Sequence, residues 1–244
     1  MRQVTRPALP KAAQTYLNKR QSAADRELEL HLLNIEREWK TARRTKTLGS
    51  VLRVLQQMMG QRERCMYCVD SHGCDIEHFR PKARFPRRAF QWRNLLLCCT
   101  ECGRFKGDLF PMANGRTLLI DPSSEDPWQH LDFDPDTGGL TARFDVQAND
   151  WSRKGAKTVE VLRLDRREAL ANVYKATFRR LCRIVLASLA GDHISASTLL
   201  DELQEADDHG LLRWCFGPIG QTVAPFCALH QHPEVWAACR QALE

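Results

Sequence analysis

Residues 65–102 read CMYCVDSHGCDIEHFRPKARFPRRAFQWRNLLLCCTEC. The stretch opens on one C-x-x-C pair, Cys65 and Cys68, and closes on a second, Cys99 and Cys102. Two such pairs about thirty residues apart can converge on one tetrahedral zinc, because each tight turn offers two thiolates to the same ion. A thioredoxin-like redox site uses a single pair within a strand–helix unit and does not account for the repetition. Coincidental burial of cysteine explains neither the repetition nor the spacing. Cys65, Cys68, Cys99 and Cys102 are therefore predicted to hold a structural Zn²⁺, with Cys74 and Cys98 as packing residues. A zinc closed by four sulfurs holds structure without doing chemistry.

The composition sets the context. The chain has 244 residues, 43% of them hydrophobic and 27% charged, values of an ordinary globular protein. No apolar run approaches the roughly 20 residues that span a bilayer. The opening MRQVTRPALPKAAQ lacks the apolar stretch of a secretory signal, so a cytoplasmic location is expected. That compartment keeps the ten cysteines as thiols. Cys182, Cys215, Cys227 and Cys239 lie in apolar surroundings and are expected as buried small hydrophobes. A net charge of +6 says little alone. Its distribution says more, because Arg80 to Lys106 holds eight basic residues against one acid, Glu101. An excess of that size attracts phosphate.

Periodicity places the cysteine frame between two helical regions. Leu28, Leu32, Ile35 and Trp39 recur at helical spacing from about Ala24, and Leu48, Val51, Leu52 and Leu55 do so in a segment ending at Gly60. TLLID (117–121) reads as a short strand, and FDPDTGGLTARF (133–144) as a hairpin turning on Asp-Thr-Gly-Gly. Asp165 to Glu168 has the form of a capping box. Behind it an apolar stripe runs from Leu170 through Tyr174, Phe178 and Leu181 towards Gly191. Further helices are predicted over about 197–208 and from Pro233 onward. The fold class is mainly α, with a small zinc-stapled core and a short β-hairpin after it. The regions are 1–60 (helical, a candidate for partner docking), 61–150 (core and hairpin) and 151–244 (helical). Both helical regions read as packing or partner surfaces.

Inside the frame lie Glu77-His78 and Asn94, with Lys106 just beyond the second pair. His78 follows a short β segment, and Asn94 is expected to open a helix carrying the second pair. Taken singly, they are a surface histidine and a helix cap. Together they are the parts of a phosphodiesterase site. A metal beside a carboxylate stabilises the departing oxyanion, and a neutral histidine takes a proton from the attacking water.

The run C-x-x-C, E-H-F-R-P-K, W-x-N-L-L, C-x-x-C, F-K-G-D-x-F-P between Cys65 and Pro111 resembles the zinc-stapled HNH (ββα-metal) endonucleases. More narrowly, it resembles the HNH subunits of Septu-type and retron-associated anti-phage systems, called PtuB. Leu119 to Pro122, Glu125 to Pro127 and Val161 to Asp165 have the look of that family's downstream segments, so the resemblance is specific over about residues 60–165. It implies an HNH core and a metal-dependent endonuclease. His78 would be the general base, Asn94 would orient its imidazole, and Lys106 would contact phosphate. Glu77 would bind a catalytic Mg²⁺ or Mn²⁺, and the four cysteines the zinc. Arg80, Lys82, Arg84, Arg87, Arg88 and Arg104 would line the nucleic acid, DNA in the first place and RNA in the second. The family works beside an ABC-type ATPase subunit, PtuA. That subunit would be a separate protein here, since no G-x-x-x-x-G-K-[ST] loop occurs in this sequence.

One position departs from the family. A histidine or asparagine usually follows the last cysteine as a second metal ligand, and this chain has Gly103. Three explanations stay open: Asp108 or Asp75 supplies the ligand, Glu77 and water hold the metal weakly, or the site is silent. The alternative function is thus a catalytically silent, zinc-stapled subunit that binds nucleic acid or acts as a scaffold in the same complex.

Overall fold

A computed structural model describes residues 1–243, which are mainly helical with four small antiparallel strand pairs. The chain forms two compact units, residues 3–125 and residues 1–2 with 126–244.

The first unit opens with α1 (Lys11–Glu29), α2 (Ile35–Arg43) and α3 (Lys46–Met58). Strand β1 (Asp75–His78) then pairs antiparallel with β2 (Leu95–Cys98), placing Asp75 opposite Cys98 and His78 opposite Leu95. Helix α4 (Thr100–Lys106) follows directly, so strand, strand and helix succeed one another around the cysteines. β2 is buried throughout, and α3 lays Leu48, Val51 and Leu55 into the core. The first C-x-x-C turn is tied to β2 by the Met66 amide, which donates to the Leu97 carbonyl at 2.9 Å. Gly73 lies so close to β2 that a Cβ there would sit 2.3 Å from Leu97 Cγ. Strands β3 (Met112–Ala113) and β4 (Arg116–Thr117) close the unit.

The second unit begins with β5 (Leu131–Phe133) and β6 (Leu140–Ala142), the predicted hairpin. A smaller pair, β7 (Phe144–Asp145) and β8 (Asp150–Trp151), follows. After α5 (Arg153–Leu162) comes the long α6 (Glu168–Leu189), whose Leu170, Tyr174, Phe178, Leu181 and Val185 are buried as the stripe requires. Phe133, Phe178 and Trp214 form an aromatic cluster with ring centroids 5.2–5.8 Å apart. Helices α7 (Ala196–Ala206), α8 (Leu212–Cys215), α9 (Phe226–Leu229) and α10 (Pro233–Leu243) complete the unit. None of the described helices is long and apolar enough to cross a membrane.

Four local expectations are corrected. The helix expected from Ala24 breaks at Leu30–Asn34, where His31 takes a positive φ of 57° and Asn34 Oδ1 caps α2 by accepting from the Arg37 amide. Leu32, counted in the apolar stripe, is 70% exposed. A short polar side chain that satisfies the next helix's free amide outweighs the continuing periodicity. Asn94 does not open a helix; it ends the 3₁₀ turn Trp92–Asn94 and leads into β2. The strand expected over 117–121 reduces to Arg116–Thr117. Asp165 caps nothing, because Leu164–Arg166 is itself a 3₁₀ turn, and α6 starts at Glu168 without a side-chain cap.

Of the cysteines expected to pack, Cys98 is buried but Cys74 is exposed. Cys215 and Cys239 are buried, while Cys182 and Cys227 are half-buried.

Candidate metal centre and adjoining cleft

The two C-x-x-C turns meet. The sulfurs of Cys65, Cys68, Cys99 and Cys102 lie within 4.8 Å of one another and all four residues are buried. Zn–S bonds of about 2.3 Å at tetrahedral angles put sulfurs about 3.8 Å apart, and Cys68 Sγ is 3.9 Å from Cys99 Sγ. The donors therefore suit a tetrahedral metal such as zinc. Cys99 also caps α4, its sulfur accepting from the Cys102 amide at 3.4 Å. Cys98 Sγ lies outside the four-sulfur set and donates to the Cys99 carbonyl at 3.2 Å.

Glu77 and His78 end β1 and share a cleft of about 1070 Å³. His78 Nε2 is 2.9 Å from the Ala89 carbonyl oxygen. A carbonyl only accepts, so Nε2 carries the proton and Nδ1 keeps its lone pair. The Trp39 ring packs edge-on at 4.2 Å. Burial first, then repulsion from Lys82, with smaller contributions from Lys106 and Arg43, pushes the His78 pKa down to about 3 against the opposing hydrogen bond to Ala89. The imidazole is neutral at physiological pH.

The Asn94 side chain does not hydrogen-bond to His78, where an orienting contact was expected. Its Oδ1 accepts from the Arg80 amide at 2.8 Å, and its Nδ2 donates to the Arg80 and Arg88 carbonyls at 3.0 and 2.9 Å. Asn94 thus clamps the 80–88 loop, and the residue after that loop, Ala89, supplies the carbonyl that orients His78. It is a positioning residue acting through backbone.

Lys106 also differs from expectation. Its ammonium is fully buried, where it donates to Glu77 Oε1 at 2.6 Å and the His78 carbonyl at 2.8 Å. An ammonium held there is not free for phosphate. Burial raises the Glu77 pKa despite the opposing pull of Lys106. Because Lys106 takes Oε1, the other oxygen remains for the cleft. A Cβ built on Gly103 would lie 4.0 Å from Glu77 Oε2 and 3.7 Å from Cys98 Sγ, an ordinary contact distance. A side chain at 103 would stand directly beside Oε2.

Lys106→Met should lower stability by about 3 kcal/mol at neutral pH, the low end for breaking a buried ion pair, since it leaves the half-buried Glu77 carboxylate without its cation. Both proteins lose stability through Glu77 as pH rises above about 4.5, its ordinary value, and the variant, with the folded pKa raised further, goes on losing it after the parent has stopped, so the deficit must grow with rising pH. Denaturant melts from pH 4 to 8 check the sign. A deficit independent of pH would point to lost packing alone.

Of the six predicted nucleic-acid contacts, Lys82 and Arg104 line the cleft. Arg80 and Arg84 stack instead at Phe85, 5.6 and 5.7 Å from its centroid, and Arg80 also on Phe110. Arg87 pairs with Glu29 at 3.6 Å, and Arg88 is exposed. Asp108 is exposed and acts on Glu77 electrostatically. Asp75 lines the cleft, bridged to Arg43. The cleft's other cations, Arg37, Lys40, Arg43 and Arg44, come from α2 and its C-terminal cap. They were missed because charges on an amphipathic helix read as its solvent face.

No family model matches this chain. It is similar to the Septu protein PtuB of Bacillus mycoides (strain KBAB4), 32% identical over 151 residues that cover 49% of this chain and 48% of that protein. It is also similar to the Septu protein PtuB of Bacillus thuringiensis, 29% identical over 112 residues covering 44% and 38%. The chain spans about half the length, or less, of these curated relatives. Over about half its length, then, this chain is similar to the Septu protein PtuB, in line with the narrower part of the resemblance read from its sequence.

Proposed function

We propose that this chain is a metal-dependent HNH endonuclease that hydrolyses phosphodiester bonds, DNA in the first place, in an anti-phage defence system beside an ABC-type ATPase partner like PtuA. The observation that carries the reading is one cation-rimmed cleft lined by both Glu77 and a neutral His78. In this reading His78 Nδ1 takes a proton from water as the water oxygen bonds to phosphorus, and the P–O bond to the leaving nucleoside breaks. Ala89 holds the imidazole for that step, and Asn94 holds the loop before Ala89. Mg²⁺ accepts one or two carboxylates completed by water and phosphate, so Glu77 Oε2 suits a weakly held ion, with exposed Asp108 as the proposed second ligand. Bound there, a divalent ion would stabilise the departing oxyanion.

The second reading, a catalytically silent binding or scaffold subunit, is favoured by Gly103 beside Oε2 and by the ammonium already paired with Oε1. One experiment separates the two: plasmid DNA and RNA incubated with the chain over a Mg²⁺ and Mn²⁺ series, beside Gly103→His. The nuclease reading expects cleavage by the unaltered chain at millimolar ion, with half-saturation falling at least ten-fold in the variant, which gains a ligand. Cleavage by neither protein, with and without the ATPase, would leave the silent reading.

A further inference from the structure

Helix α2 lies outside the cysteine frame, yet it forms one wall of the cleft that holds Glu77 and His78. Arg37, Lys40 and Arg44 fall three and four residues apart, on one face. Over seven residues that face runs about 10 Å, the axial length of roughly three phosphates of one B-form strand.

The pairing of the helix's charges is uneven. Its acids are engaged: Glu36 with Lys82 at 3.1 Å, and Glu38 with Arg20 at 2.8 Å and with Arg37 of the same helix at 3.5 Å. Arg43 is bridged to Asp75. Lys40 and Arg44 have no partner among the described residues, and neither does Arg104, which α4 contributes to the same cleft. Lys40 and Arg44 stand at the C-terminal end of α2, where the helix dipole offsets the repulsion between like charges four residues apart, so the helix tolerates two cations left free for a ligand. The exposed Arg43–Asp75 pair is of the kind that contributes little to stability, and exchanging it for another anion costs correspondingly little.

We infer that α2 is a phosphate-binding wall: Lys40 and Arg44, with Arg104 in the same cleft, grip the sugar–phosphate backbone of a nucleic-acid strand and lay it over Glu77–His78. This rests on the nuclease reading for the ligand's class and goes beyond it in assigning the grip to a helix outside the zinc frame.

The test reads binding without cleavage. Full-length chain carrying His78→Gln, without added Mg²⁺ or Mn²⁺, is titrated by fluorescence anisotropy against a labelled DNA duplex and an RNA hairpin of equal length, over a salt series. Lys40→Glu/Arg44→Glu is compared with Lys11→Glu/Lys19→Glu, which changes net charge equally at exposed α1 positions that do not line the cleft. The cleft pair is expected to weaken binding at least ten-fold and to flatten the log–log salt slope by about two, one per lost phosphate contact. The α1 pair should stay within two-fold. Whichever probe responds names the nucleic acid. Equal loss in both pairs would reduce the effect to net charge and overturn the wall, as would no loss in the cleft pair or no binding by the parent chain. If charge reversal disturbs α2, Lys40→Gln/Arg44→Gln removes the same contacts. The wall and the nuclease fail separately, since a chain that cuts nothing can still show the cleft-specific loss, and an active nuclease can lack it.

Discussion

Chelation of the four-cysteine site, or Cys99→Ser, is expected to unfold residues 3–125. Few hydrogen bonds anchor the C-x-x-C turns to the rest of the unit. The Met66 amide donates to the Leu97 carbonyl and the Leu97 amide to Met66 Sδ, and Cys99 caps α4 through its sulfur. What joins the two turns is the sulfur cluster itself. A structural zinc contributes on the order of 10 kcal/mol to folding at neutral pH, which matches or exceeds the net stability of a typical domain, about 5–15 kcal/mol. Serine offers no thiolate, and the remaining three thiols, crowded and buried, cannot replace the lost bond. Metal analysis and thermal melts check this: Cys99→Ser should lose its zinc and the cooperative transition of this unit. A variant with normal zinc content and melting temperature would show that the cluster is only packed cysteine. Cys98→Ser is the matched control, since Cys98 lies outside the four-sulfur set and should keep its metal.

His78→Gln is expected to lower phosphodiester cleavage by about 10²–10⁴-fold, the usual contribution of a general base, with nucleic-acid binding almost unchanged. Glutamine is preferred to alanine because its amide can still donate to the Ala89 carbonyl, which His78 Nε2 now satisfies. Alanine would orphan that buried carbonyl and open a gap against Trp39, mixing a folding defect into the rate. The loss should fall on kcat. Equal cleavage by the glutamine variant would remove His78 from the reaction, whatever the role of the cleft. A parallel loss of binding and rate would make it a structural histidine.

Part of this site was legible in the sequence and part was not, and the division follows the range of the interactions. The cysteine frame is a matter of spacing, and two pairs at that separation converged on one cluster as expected. The hairpin at 131–142 and the buried stripe of α6 follow from turn residues and periodicity, which act within a few residues. The break before α2 was missed because Asn34 competed locally with a stripe that continued through Leu32.

The sequence by itself determined which residues could form the centre: four cysteines, a glutamate beside a histidine, an asparagine and a lysine at the right stations. Only the tertiary structure decided what each one does to the others. Lys106 meets Glu77 across 29 positions, and Asn94 reaches the Arg80 backbone across 14. Lys40 and Arg44 come to the cleft from outside the frame altogether. The physical reason is that local patterns record which face of an element is apolar, whereas a buried charge takes whatever partner packing brings within about 3 Å. Packing gave Lys106 a carboxylate in place of a phosphate, and it left the cleft's unpaired cations on a helix that by periodicity alone is a solvent face.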